Sequence, residues 1–246
     1  MPNYAKMKVI KYIKSRQTIF LERKETLFYK SINVIIKDPL PENISINNIL
    51  AAVEHIIPRH LVYNVEAIYV GHFKMFDQRN INALYQDGAL YISNEQDNEE
   101  DMIDDIVHEI AHSAEEKYWA EIYGDGELER EFLSKREKLY EILASYEYPV
   151  NYEQFINPEY DDKFDSLLYN KIGYEKLEHF VIGLFPSNYS ITSLREYFGI
   201  GFEYYFLRDG SEFNELANIS PVLYNKIYNL INMENVWMNH MWVIQN

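Results

Sequence analysis

The stretch from residue 83 to residue 117 reads ALYQDGALYISNEQDNEEDMIDDIVHEIAHSAEEK, and it predicts a β-hairpin followed by a long helix. Asp87-Gly88 separates two runs rich in β-forming residues, which is a strong hairpin signal because a tight turn needs positive φ there. From Glu99 the apolar residues recur with a helical period. They are Met102, Ile103, Ile106, Val107, Ile110, Ala111 and Ala114. We expect this helix to extend to Tyr123 and to pack on the hairpin.

The residues before the hairpin predict two further strands with one helix between them. Residues 31–37 are typical of a strand that ends at Asp38-Pro39. Residues 45–57 have the apolar spacing of a helix that Pro58 terminates. Residues 67–73 predict another strand, so that the N-terminal third should contain a small sheet with helices around it.

The residues after Gly124-Asp125-Gly126 predict a mostly helical region. Residues 127–185 have helical periodicity with breaks, and two more helices follow. The breaks are near Pro149, Pro158 and Gly173, and the later helices cover residues 193–207 and 221–232, separated by Asp209-Gly210. The predicted fold class is therefore α+β, with a small sheet and a larger helical C-terminal half.

Composition excludes several kinds of partner and site. The 246 residues carry a net charge of −16, which disfavours nucleic acid because phosphate binding needs a basic face. The chain contains no cysteine, so that disulfides and thiolate metal sites are excluded. It contains neither an apolar run long enough for a membrane span nor an export signal at its start. We therefore expect no membrane partner and a cytoplasmic location.

The first thirty residues differ in charge from the rest of the chain. Residues 4–29 have mixed helical periodicity, and the segment 1–30 has eight lysines and arginines against Glu22 and Glu25. A solvated helix face accounts for this pattern. An arm that docks on the acidic body of the chain, or on a partner, is the alternative. We expect residues 1–30 to be a basic helical extension of one domain, residues 31–246.

The motif His108-Glu109-Ile110-Ala111-His112 carries the chemistry. Residues four apart lie on one face of a helix, so that two imidazoles can bind one zinc ion there. Glu109 can then reach a metal-bound water as general base. The alternative is two buried histidines that ordinary hydrogen bonds satisfy.

A catalytic zinc needs a third protein ligand and an open fourth position. The extended pattern with Gly and His after the motif is absent, because Glu115 and Tyr118 stand at those positions. The ligand must therefore come from elsewhere, and the candidates are Glu121, His179, Glu196 and Glu203. Glu121 is disfavoured because it follows His112 on the same predicted helix. Ser193-x-x-Glu196 also fits a capping box, in which Glu196 would fold back on its own helix.

The segment 189–202, YSITSLREYFGIGF, resembles a known family. The pattern Y-x6-E-[FY]-F-x-x-x-F downstream of H-E-x-x-H is similar to that of the catalytic domain of anthrax lethal factor and its relatives, which include the secreted clostridial proline–proline endopeptidases. The resemblance covers about residues 31 to 235 and implies a zincin-like fold. It implies that Glu196 is the third zinc ligand, beside His108 and His112. It also implies that Tyr189 faces the metal-bound water and the scissile carbonyl.

The chain departs from this family in two ways. Lethal factor has a second Glu four residues after its ligand Glu, where this chain has Ile200, so that any role of that carboxylate is missing or supplied elsewhere. Residues 124–185 are a helical insertion that we expect to reshape the substrate cleft, with Lys135, Arg136 and Lys138 on its surface.

Gly199 and Gly201 indicate either close packing against the active helix or a locally weak helix.

These features together predict a zinc-dependent endopeptidase with one Zn²⁺ per chain and a peptide or protein substrate. Glu109 would serve as general base and Tyr189 would stabilise the oxyanion. The substrate would add as a strand along Tyr91 to Asn94. The alternatives are an inactive zinc-containing binding or structural protein, and a host-directed toxin effector protease.

Overall fold

The computed structural model describes residues 26–79, 81–208 and 210–244. Its strands are β1 (Thr26–Phe28), β2 (Ile32–Ile36), β3 (Ala67–Val70), β4 (Ala83–Gln86) and β5 (Ala89–Ile92). The helices of its first half are α1 (Ile46–Ile56), α2 (Lys74–Arg79), α3 (Glu99–Lys117) and α4 (Trp119–Tyr123). Those of its second half are α5 (Glu127–Ser145), α6 (Tyr152–Phe155), α7 (Asp162–Ser166), α8 (Tyr174–Val181), α9 (Leu194–Leu207), α10 (Gly210–Ile219) and α11 (Pro221–Ile244). The expected α+β class, with a small sheet and a larger helical half, is confirmed.

The five strands form one mixed sheet in the order β1-β2-β3-β5-β4. The strands β2, β3 and β5 are parallel neighbours, while β1 and β4 run antiparallel to the strands beside them. Val34, Ile68 and Leu90 lie in register across the parallel strands and are buried. Because side chains alternate across a strand, this row places one face of the sheet in the core.

The hairpin forms as the sequence predicts, and the long helix begins at Glu99 as expected. It ends at Lys117 rather than Tyr123, because Tyr118 leaves the helical conformation (φ −109°, ψ 28°) and Trp119–Tyr123 form the separate helix α4. Asp87 and Gly88 have φ values of 50° and 80°, which is the backbone that a two-residue hairpin turn requires. The helix α3 packs against β4, β5 and α1. Its N-cap is Asn98, whose side chain accepts a hydrogen bond from the Asp101 N–H, and its first turn is acidic, as suits the helix dipole.

The position of β5 contradicts the expected site of substrate strand addition. Tyr91 lies in β5, which is hydrogen-bonded to β3 on one side and to β4 on the other. Ser93 donates its N–H to the Asn82 carbonyl, which extends this pairing beyond the strand. The prediction at Tyr91 to Asn94 is therefore wrong, since the backbone at Tyr91 and Ser93 is already paired. Among the described residues, β4 is the outermost strand on the side of α3.

The predicted N-terminal helix does not reach residue 29, because Thr26–Phe28 form the strand β1. Phe28 is completely buried, and its pairing with Ile32 places β1 at one edge of the sheet. Tyr29 and Lys30 both have positive φ and form the tight turn into β2. Pairing with β2 therefore overrides a weak helical pattern. The rest of the predicted basic extension, residues 1–25, lies outside the described residues.

The helical breaks in residues 124–185 are confirmed, but two residues expected on the surface of this segment are buried. Lys135 and Arg136 are 5% and 1% exposed, whereas Lys138 is exposed. Lys135 donates to the Leu184 carbonyl and to the Ser220 hydroxyl, each at 2.8 Å. A buried cation is tolerated because protein acceptors replace its hydration. The Lys135 side chain thus anchors α5 to the backbone at Leu184 and to Ser220.

The C-terminal region has one helix more than the sequence pattern predicts. The helix α10 fills the interval between the two predicted helices, and α11 extends to Ile244 rather than residue 232. None of the described helices is long and apolar enough to cross a membrane.

Candidate metal centre

The helix α3 presents both motif histidines toward the C-terminal half of the protein. One helical turn separates His108 from His112, and their Nε2 atoms lie 3.2 Å apart. The side chain of His112 is held by Glu115, whose Oε2 lies 2.6 Å from Nδ1 of His112. Because that carboxylate accepts the Nδ1 proton, we assign the lone pair of His112 to Nε2, which faces His108.

The helix α9 supplies a carboxylate to the same point. Oε2 of Glu196 lies 3.1 Å from Nε2 of His108 and 3.9 Å from Nε2 of His112. Ser193 is the N-cap of this helix, and its hydroxyl accepts the Glu196 N–H at 3.1 Å. The capping-box interpretation therefore holds for Ser193 alone, because the Glu196 side chain contacts the histidines instead of its own helix start.

The three ligand atoms fit a divalent cation. They lie within 4.8 Å of one another, and two imidazole nitrogens with one carboxylate oxygen are a donor set of catalytic zinc sites. Tetrahedral ligands at zinc distances of about 2.0–2.1 Å stand roughly 3.3 Å apart, close to the separations of His108 from His112 and Glu196. The arrangement is thus nearly complete before any ion is bound.

The electrostatics of the centre favour positive charge. Burial opposes the charged form of His108, but the carboxylates of Glu196 and Glu203 outweigh it and raise its pKa well above the usual range. Burial likewise acts to raise the pKa of Glu196, yet its hydrogen bond to His108 and the charge of both imidazoles lower it. Positive charge is therefore favoured at the point where the three ligand atoms converge.

The other candidate ligands do not join the cluster of His108, His112 and Glu196. Glu121 on α4 and His179 on α8 are exposed, and neither belongs to the cluster of ligand atoms. Oε2 of Glu203 lies 3.6 Å from Nδ1 of His108, the ring nitrogen that faces away from Glu196. Glu203 is therefore close to the centre but on the opposite side of the imidazole from the other two ligand atoms.

A glycine makes the approach of α9 to α3 possible. A β-carbon at Gly199 would lie 2.8 Å from Cε1 of His108, closer than such atoms come in proteins. The close-packing interpretation of this glycine is therefore confirmed. Gly201, by contrast, packs against Leu223 of α11 rather than against the active helix.

The expected base lies between the histidines and the outermost strand. Glu109 is 7% exposed, and its Oε2 accepts the main-chain N–H of Tyr85 at 2.5 Å. Tyr85 is on β4, so that the carboxylate joins α3 to the edge of the sheet.

Tyr189 lies in a short 3₁₀ helix, Tyr189–Ile191, immediately before α9. Its side chain is 39% exposed, and burial together with the negative charge of Glu196 raises its pKa above the usual value. Tyr160 and Tyr174, from the segment 124–185, contribute to the same shift. The hydroxyl is therefore a neutral donor at neutral pH, as that of an ordinary tyrosine with a pKa of about 10 also is.

A cavity of about 560 Å³ opens beside His112. Its walls include Tyr85 and Asp87 of the hairpin, Trp119 of α4, Arg195 of α9 and Pro158 of the segment 124–185. The carbonyl of Pro158 accepts the Leu194 N–H at 2.8 Å, which connects this segment to the start of α9. Residues of the segment 124–185 thus border the candidate site directly.

Two contacts of the site do not follow from the sequence pattern alone. Glu115 breaks an extended zinc motif, but its spacing of three residues from His112 places it on the same helix face, and this spacing is the signal that predicts the contact. Glu203 is a candidate metal ligand by residue type, whereas the structure places it beside the other ring nitrogen of His108.

Comparison with known proteins gives no matching family model, no matching curated protein and no matching solved structure.

Proposed function

We propose that this protein is a zinc-dependent endopeptidase. The carrying observation is the convergence of His108, His112 and Glu196 from two helices, with the carboxylate of Glu109 between them and the outermost strand. The resemblance to the lethal factor family supports the same roles, a zincin-like fold and Tyr189 beside the centre. Three protein ligands leave the fourth position of a zinc ion open for catalysis.

In this mechanism, bound zinc would polarise the scissile carbonyl and lower the pKa of the attacking water. Glu109 takes the proton of that water as the new C–O bond forms, and then passes it to the leaving amine as the C–N bond breaks. Tyr189 donates its hydroxyl proton in a hydrogen bond to the developing oxyanion, which such donors stabilise.

The substrate we propose is an extended peptide that pairs with β4. The carbonyl of Asn82 accepts the Ser93 N–H, and along an edge strand the main-chain N–H and C=O groups of successive residues point alternately toward the neighbouring strand and away from it. The main-chain groups of Ala83 and Tyr85 therefore point away from β5. The Tyr85 N–H donates to Glu109, which fits this orientation, and the peptide would therefore pair with the other outward main-chain groups of Ala83 and Tyr85. Main-chain hydrogen bonds to an exposed strand edge are a general mode of peptide recognition.

The test combines metal content with cleavage. We expect about one zinc per chain by elemental analysis of protein purified without chelator, and cleavage of a peptide library. Glu109→Gln keeps the side-chain size and should retain zinc while turnover falls by about a hundredfold or more. Glu100→Gln, an exposed carboxylate on the same helix, is the matched control and should cleave like wild type. Tight zinc binding without any cleavage would favour a binding or structural protein instead.

A further inference from the structure

Both motif histidines have a carboxylate beside the ring nitrogen that faces away from the candidate metal position. For His112 the carboxylate is Glu115, at 2.6 Å from Nδ1. Glu115 is only 3% exposed and is itself held in place, since it accepts hydrogen bonds from the Tyr123 hydroxyl and from Nε of Arg195. The orientation of the His112 ring is thus determined by a fixed acceptor.

For His108 the carboxylate is Glu203, whose Oε2 lies 3.6 Å from Nδ1. Oε1 of Glu203 lies 3.7 Å from Nη2 of Arg208, which in turn contacts Asp104 on α3 at 3.5 Å. These contacts start at His108 and end at Asp104, both on α3. Glu203 is therefore placed between the His108 imidazole and the Arg208 guanidinium, with one oxygen near each.

The spacing along α9 explains how one ring meets two carboxylates. Positions 196, 199 and 203 are three and four residues apart and share one helix face. Glu196 contacts Nε2 of His108, Glu203 lies beside Nδ1, and Gly199 leaves room for the ring between them.

We propose that Glu115 and Glu203 are positioning residues that hold the Nδ1–H tautomers of His112 and His108, so that both Nε2 lone pairs face the metal. A metal-ligating histidine commonly donates its other N–H to a carboxylate, which fixes the ring and raises its basicity. Loss of such a partner typically weakens metal affinity by 10- to 100-fold. This inference rests on the metal site of the proposed function but not on its peptidase activity.

The experiment measures the zinc dissociation constant by chelator competition for wild type, Glu115→Gln, Glu203→Gln and the control Glu100→Gln. We expect affinity to fall by about 10- to 100-fold in the first two variants and to stay unchanged in the control. Glutamine keeps the size and one acceptor oxygen, so that the effect reports mainly the loss of charge. Thermal unfolding of the metal-free variants separates a change in affinity from a loss of fold.

A spectroscopic measurement provides a second, independent readout. In the zinc-loaded wild type, two-dimensional ¹H–¹⁵N spectra of the imidazoles should show His108 and His112 protonated at Nδ1. Protonation at Nε2 would overturn the proposal even if Glu115→Gln does not fold. Wild-type affinity in both variants, with zinc bound tightly, would overturn it while leaving the metal site intact. A wild type that binds no zinc would refute the site, and the proposed function with it.

Discussion

Gly199 lies directly against the imidazole of His108, and a β-carbon at this position would come within 2.8 Å of Cε1. The contact sets how closely α9 approaches α3, and hence that Glu196 lies 3.1 Å from Nε2 of His108. A glycine within a helix costs about 1 kcal/mol relative to alanine. In return α3 and α9 pack closely enough that α3 supplies the candidate ligands His108 and His112 and α9 supplies Glu196.

We expect Gly199→Ala to weaken zinc binding by about tenfold or more, because the added methyl group must displace the His108 ring or α9 itself. Overpacking of this kind typically costs about 1–3 kcal/mol, partly offset by the better helix propensity of alanine. Zinc affinity by chelator competition and the midpoint of urea unfolding are the measurements.

Gly201→Ala is the matched control for this change. Gly201 is in the same helix, and its added β-carbon would meet Leu223 of α11 at 2.4 Å. Both variants should lose stability, but only Gly199→Ala should lose zinc affinity. Equal zinc affinities in the two variants would show that Gly199 does not determine the geometry of the site.

Glu196→Ala should reduce zinc affinity far more than it reduces stability. It leaves two histidines, so that zinc content and turnover should fall together, while the Ser193 hydroxyl still caps α9 through the backbone N–H. Zinc affinity and turnover should be measured side by side. Tight zinc binding by this variant would remove Glu196 from the ligand set.

Tyr189→Phe should leave zinc binding intact and lower turnover. The change removes one hydroxyl that acts in the transition state, and loss of an oxyanion donor typically costs about a hundredfold or more in kcat. KM should change little, because the hydroxyl contributes little to binding of the ground state. A kcat equal to that of wild type would contradict the proposed role and weaken the resemblance to the lethal factor family.

Zinc affinity should rise with pH. The carboxylates of Glu196 and Glu203 raise the pKa of His108 against the effect of burial, so that the metal-free protein keeps this proton above the ordinary histidine pKa of about 6.5. Zinc must displace it, whereas Glu196, with its lowered pKa, is already ionised. One released proton means about a tenfold gain in affinity per pH unit. Calorimetry in buffers of different ionisation enthalpy measures the proton count.

The same shift predicts the pH dependence of the metal-free fold. A folded pKa above the unfolded value means that the stabilisation from His108 is fully present below about pH 6.5 and is lost as pH rises through the folded pKa. This contribution should be absent in His108→Asn, so that the difference in unfolding free energy between the two proteins should shrink as pH rises. A pH-independent difference would contradict the raised pKa.

Arg136→Ala should destabilise the protein, whereas Lys138→Ala should not. The Arg136 guanidinium donates to the Gln154 and Asn157 carbonyls and stacks 4.0 Å from the Phe164 ring centre. Removing it leaves two carbonyls without their donor, at a cost of about 1–3 kcal/mol each. Lys138 is exposed, and such substitutions usually lie within about 0.5 kcal/mol. Urea unfolding of both variants makes the comparison.

Local patterns were sufficient for much of the fold. The hairpin at Asp87-Gly88 and the helix that contains His108, Glu109 and His112 follow from turn geometry and helical period, which act over a few residues. The sequence could not place β5 inside the sheet, because strand order depends on which segments pair across long stretches of chain. The burial of Arg136 escaped prediction for a similar reason, since its acceptors lie 18 and 21 residues away.

The sequence by itself therefore determined that both histidines share one helix face with Glu109 next to His108, since residues this close on one helix have a fixed relation. It left four candidates for the third ligand. Only the tertiary structure brings Glu196 to His108, 88 residues earlier in the chain, through the packing of α9 on α3 over Gly199. The same packing sets Glu203 at the other nitrogen of the ring. Such contacts depend on the crossing of two helices, which no local spacing specifies.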